Sequence, residues 1–107
     1  MNETEELAFI HTKLIIYLKH LCDDLECGYD FLPWNYHTVN YVYIKKNEFM
    51  NSFLEYVEDS LGKKPINRIK DIITILCDFN IEIDDDGLFK IPKPIINNLF
   101  FEHFKIT

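Results

Sequence analysis

What this chain can become is constrained first by its N-terminal segment. Between Glu3 and Cys27, Leu7, Ile10, Leu14, Leu18, Leu21 and Leu25 follow one another at spacings of 3, 4, 4, 3 and 4. That pattern holds one apolar stripe in register over about seven turns of a 3.6-residue helix. Glu3, Glu5 and Glu6 lie where the positive end of the helix dipole favours acid, and Gly28 supplies a stop. Ile15, Ile16 and Tyr17 widen the stripe. A helix of this kind either runs through the centre of the fold or shares its apolar surface with another chain. Its stripe also reaches past what a three-helix core covers, which predicts a homodimer through this helix.

The following segment, 28 to 38, has no helical period but carries Tyr29, Phe31, Trp34 and Tyr36. It reads as a loop whose rings partly cover the long helix and partly serve as interface anchors. Residues 39 to 46 are β-branched and aromatic, with Val39, Tyr41 and Tyr43 on one side of an extended strand. Asn47 then caps a second helix in which Phe49, Met50, Phe53, Leu54, Val57 and Leu61 hold helical spacing up to Gly62. A third helix starts at Pro65, with Ile66, Ile69, Ile72, Ile73 and Leu76 facing inward, and ends at Asn80. Ile81 to Ile83 and Leu88 to Ile91 alternate around an Asp-Gly turn, the pattern of an antiparallel hairpin. From Pro94 onwards a short last helix turns Ile95, Leu99, Phe100 and Phe104 one way.

Long helix, strand, two sharply joined helices and a strand-turn-strand make the element order of a winged helix, the helix-turn-helix variant in which a hairpin closes the bundle. The expected fold is therefore α+β, mostly helical and winged-helix-like, in a single domain spanning 1 to 107. Between Tyr43 and Pro94, Phe53, Tyr56, Lys63, Lys64, Leu76 and Ile81 stand where a strand runs into a helix, a basic turn and a second helix before a wing. In this the chain resembles the winged-helix domain that ends many phage and large-DNA-virus primase-helicases. The resemblance covers about half the chain and implies a viral or phage binding module. It departs from that pattern on the third helix, which offers Asn67, Lys70, Asp71, Thr74 and Asp78 outward, a mixed set with little pull on phosphate.

Charge points the same way. The chain carries 18 acidic against 11 basic residues, a formal charge of −7, which opposes long-range attraction to nucleic acid. The basic residues gather at Lys63, Lys64, Arg68 and Lys70. Three cysteines, Cys22, Cys27 and Cys77, no secretory leader, and no apolar run approaching the roughly 20 residues a bilayer requires predict a soluble intracellular protein with reduced thiols.

The remaining motifs point away from chemistry. Glu82, Asp84, Asp86 and Gly87 fit positions one, three, five and six of a calcium loop, but the twelfth holds Lys93 behind Pro92, so Asp84, Asp85, Asp86 and Gly87 read as a wing turn. Cys22 and Cys27 lie five residues apart on one helix and point about 140° away from each other, so with His20 they cannot close a zinc tetrahedron. They read, with Cys77, as buried thiols. No local device activates a cysteine toward His37 or His103, and Asp23-Asp24 and Glu58-Asp59 read as solvated helix faces. No cofactor, metal or catalytic residue is expected. Candidate binding residues are Lys63, Lys64, Asn67, Arg68 and Lys70 on the basic turn, and Tyr29, Phe31, Trp34 and Tyr36 on the aromatic loop. The expected function is non-enzymatic binding of a protein partner, with DNA contact possible through 63 to 70 and no membrane association. The alternative is an acidic inhibitor or adaptor that occupies the nucleic-acid groove of a host protein.

Overall fold

The apolar stripe forms the expected helix, α1 (Glu3–Glu26), in a computed structural model that describes residues 2 to 26 and 35 to 105. The helix starts on a cap that the stripe did not announce. The Asn2 side-chain oxygen accepts the Glu5 N–H at 2.8 Å, and the Asn2 amide donates to the Glu5 carboxylate at 3.0 Å, satisfying one of the unpaired donors of the first turn. Ile10, Leu14, Ile15, Leu18 and Cys22 are buried, while Leu7 and Leu21 are half-buried. α1 packs on α2 (Lys46–Leu61), α3 (Ile69–Asp78) and α4 (Lys93–Phe104). α4 thus adds a fourth helix to the three-helix core that packs on the stripe.

Beside the helices lies a four-stranded antiparallel sheet, β1 (Asn35–His37), β2 (Tyr41–Lys45), β3 (Glu82–Ile83) and β4 (Leu88–Pro92), in the order β1-β2-β4-β3. The fold is α+β. β2 begins two residues later than expected. Val42 and Ile44 are its core side, Tyr41 and Tyr43 line the other face half-buried, and Val39 is 89% exposed in the preceding turn. β1 lies inside the stretch expected to be loop and pairs Asn35 with Ile44 and His37 with Val42. Its turn is closed locally, because the Thr38 N–H donates to the Tyr41 carbonyl at 2.8 Å and the Thr38 hydroxyl oxygen accepts the Tyr41 N–H at 3.2 Å.

The helix boundaries follow backbone chemistry. α2 starts at Lys46, one residue ahead of the expected Asn47 cap, and no side chain caps it. It ends where Gly62 enters the left-handed region at φ +77 and donates its N–H to the Glu58 carbonyl at 2.7 Å, a conformation that glycine reaches without steric cost. Pro65 is followed by a tight 3-10 turn, Ile66–Arg68, and the α-helix proper begins at Ile69. With three residues per turn, Ile66 swings off the face of Ile72 and Leu76 and is 64% exposed, contrary to the inward expectation. Asn80, at φ +63, ends the helix, and the Ile81 N–H reaches back to the Leu76 carbonyl at 3.1 Å.

α4 presents a different face from the one expected. It begins at Lys93 with Pro94 in its first turn, and Ile96 is buried while Ile95, Leu99 and Phe100 are half-buried and Phe104 is exposed. The reason is its seat on α1: Lys19 Nζ donates to Asn97 Oδ1 at 2.7 Å and to Asp23 Oδ1 at 2.9 Å, and its ammonium lies over the rings of Phe100 and Phe101. The core centres on stacked Phe49 and Phe53, with Tyr17 edge-on to both at 5.5 and 5.6 Å and Phe89 edge-on to Phe49 at 5.4 Å. Phe53→Ala, at a fully buried position, is expected to lower unfolding stability by about 3–5 kcal/mol. Urea denaturation followed by far-UV circular dichroism checks this.

Candidate functional site

The basic turn is less basic than its sequence. Lys63, Lys64, Asn67 and Lys70 are exposed, and Lys64 Nζ stands 4.0 Å from both Glu55 and Glu58. Arg68 turns inward: its Nε donates to Glu6 Oε1 at 3.2 Å and its Nη1 to Asp71 Oδ2 at 3.4 Å, leaving the side chain 12% accessible. The Glu6 carboxylate, foremost, raises the guanidinium pKa further above its ordinary value. Arg68 thus ties the start of α3 to the first turn of α1 and is withdrawn from the surface set. Ile66, in the same turn, is 64% exposed and lines a depression of about 370 Å³ with Asn51, Leu54, Glu55, Lys64 and Ile69.

Of the aromatic loop, Tyr29, Phe31 and Trp34 lie outside the described residues, and Tyr36 pairs through its backbone with Tyr43. The wing-turn residues form a self-bonded turn. Asp84 Oδ1 accepts the N–H groups of Asp86 and Leu88, each at 2.9 Å, Gly87 sits at φ +78, and its N–H donates to the Asp84 carbonyl. The Asp84 oxygen at position three of the calcium-loop pattern is therefore engaged with its own backbone. Cys22 is buried as expected, but Cys77 is exposed, because it follows Leu76 and falls off the buried face of α3. Cys27 lies outside the described residues. Among the described residues no group of three or more His, Cys, Asp or Glu side chains is placed to hold a metal ion, and no helix is long and apolar enough to cross a membrane.

Packing creates a further feature that the sequence did not reveal. α1, α3 and α4 border an open groove of about 490 Å³ lined by Leu7, Ala8, His11 and Thr12, by Asp71, Thr74 and Ile75, and by His103. His11 meets the edge of Phe79 at 5.4 Å and lies 5.9 Å from His103, ring centre to ring centre. The Thr12 hydroxyl and His103 Nε2 share a hydrogen bond at 3.2 Å. Thr74 is engaged with its own helix, donating to the Lys70 carbonyl. Two imidazoles and a hydroxyl therefore converge in an apolar cleft, the usual composition of a ligand pocket. The signal in the sequence was faint: His11 adjoins the apolar stripe, but only the docking of α4 brings His103 to it.

Burial lowers the His11 pKa, nearby His103 lowers it further, and Asp78 opposes both. Since the folded value lies below the ordinary 6.5, the unfolded chain takes up the proton first. This contribution to stability is whole above about pH 6.5 and declines as pH falls toward the folded value. Denaturation midpoints are expected to drop between about pH 7.5 and 5.5, with a shallower drop in His11→Gln. Imidazole NMR should show His11 titrating below the ordinary value; a value at or above it would contradict the assignment.

Compared with family models, curated proteins and solved structures, the chain matches none.

Proposed function

We propose that the chain is a non-enzymatic, winged-helix-like module that binds an acidic protein segment through the turn between α2 and α3. The winged-helix reading is supported by the layout: β2, the strand before α2, pairs with β4, the last strand of the hairpin, so that the hairpin closes onto the bundle formed by α1, α2 and α3. The observation that carries the protein partner is Ile66, a largely exposed apolar side chain among Lys63, Lys64, Asn67 and Lys70. Protein interfaces pair an apolar centre with a polar rim, and an acidic segment bearing one apolar residue complements this one.

Duplex DNA is a poorer match. The exposed positions of α3 are Lys70, Thr74, Cys77 and Asp78, Arg68 is already paired with Glu6, and the hairpin tip carries Asp84, Asp85 and Asp86. Few phosphates could be neutralised by this surface, and the tip repels them.

A photo-cross-linker in place of Ile66 is expected to trap one acidic protein from cells that make the chain. Ile66→Ser and the triple change Lys63→Glu, Lys64→Glu, Lys70→Glu should each weaken that complex by about tenfold or more, with the triple change also removing its salt dependence. No mobility shift of duplex DNA is expected even at about 50 mM salt. A shift that the triple change abolishes would reverse the reading in favour of nucleic acid. Capture of a basic nucleic-acid-binding protein through the acidic tip would favour the mimic.

A further inference from the structure

Acid on the protein itself already meets two cations of the turn between α2 and α3, and the two contacts differ in kind. Arg68 donates to Glu6 at 3.2 Å and to Asp71 at 3.4 Å, with the Arg68 and Glu6 side chains each only 12% accessible. That contact is fixed by packing as well as by charge. Lys64 Nζ stands 4.0 Å from both Glu55 Oε1 and Glu58 Oε2, beyond hydrogen-bond reach, and its side chain is 44% accessible against 69% and 45% for theirs. Pairs this open to water and salt contribute little to stability and are broken at little cost. We propose, on the reading that the turn binds an acidic segment, that Lys64 changes partners: Glu55 and Glu58 hold its ammonium in the free chain, and a carboxylate of the segment replaces them on binding.

The place of the exchange is the depression of about 370 Å³ whose lining holds Glu55, Lys64 and Ile66 together with Leu54 and Ile69. An apolar residue of the segment that enters it brings the acids on either side within reach of Lys64, and also of Glu55. Glu58, three residues on, lies on the same side of α2. The two glutamates therefore act against the segment twice, by neutralising the ammonium it needs and by repelling its carboxylates. Neutralising them strengthens binding, and most of that gain passes through Lys64.

The probe is a short acetylated and amidated peptide, a leucine flanked on each side by a pair of glutamates, titrated into the full chain to millimolar concentration at about 100 mM salt, where long-range fields are screened. Backbone amide NMR of residues 63 to 70 reads the binding. Glu55→Gln with Glu58→Gln, which leaves helix propensity nearly unchanged, should bind the peptide about fivefold more tightly than the unaltered chain. That gain should be at least about threefold smaller when Lys64→Gln is also present. Glu82→Gln with Asp85→Asn removes the same charge from exposed positions of the hairpin and should change affinity by less than about twofold. No gain, an equal gain without Lys64, or an equal gain from the hairpin pair overturns the exchange and leaves the acidic ligand in place. A peptide that none of these proteins binds better than its counterpart with glutamine for glutamate removes the acidic ligand itself, and the exchange with it.

Discussion

Everything in this fold depends on how α1 is covered. A 24-residue helix with a continuous apolar stripe packs against α2, α3 and the chain's own C-terminal helix. The fastening is distributed along α1. Arg68 grips Glu6 in the first turn, His103 meets Thr12 in the middle, and Lys19 binds Asn97 of α4 toward the far end. Each contact joins residues far apart in the chain, so each also closes a long loop whose entropy must be offset by the apolar burial between them.

The elements whose signals are local could be read from the letters. α1 came from its stripe, the end of α2 from Gly62, the end of α3 from Asn80 and the β3–β4 turn from Asp-Gly, because a left-handed residue or a fixed period needs no information from elsewhere. What escaped depended on partners. β1 is three residues long, and its ladder with β2, more than its composition, makes it a strand. The α4 face shifted to Ile96, Asn97, Phe100 and His103 because α1 selected it. Ile66 was misplaced by a subtler cause: a 3-10 turn after Pro65 changes the period from 3.6 to 3 for one turn, and a single-period reading cannot see that.

Electrostatics show the same division. The run of Lys63, Lys64, Arg68 and Lys70 looked like one basic segment, yet its most capable anion binder is used internally and one lysine approaches two glutamates on α2. A cation count along the sequence overstates the field at the surface, because arginine, with its planar fork, is the residue most readily drawn into a half-buried pair. The candidate groove has the opposite character: no sequence pattern joins His11 to His103, and its properties arise from proximity alone.

The β3–β4 turn and α2 are also joined. α2 begins without a side-chain cap, and the N–H of its first residue, Lys46, donates to the Gly87 carbonyl at 3.2 Å. The hairpin turn, one step beyond the Lys45–Leu88 pair of the β2–β4 ladder, therefore supplies what a serine or aspartate side chain would ordinarily supply at the helix start. Turn and helix form one cooperative unit as a result: the acidic tip cannot swing away without uncovering the positive end of α2, and amide exchange at that helix start is governed by the integrity of a loop about forty residues away in the chain.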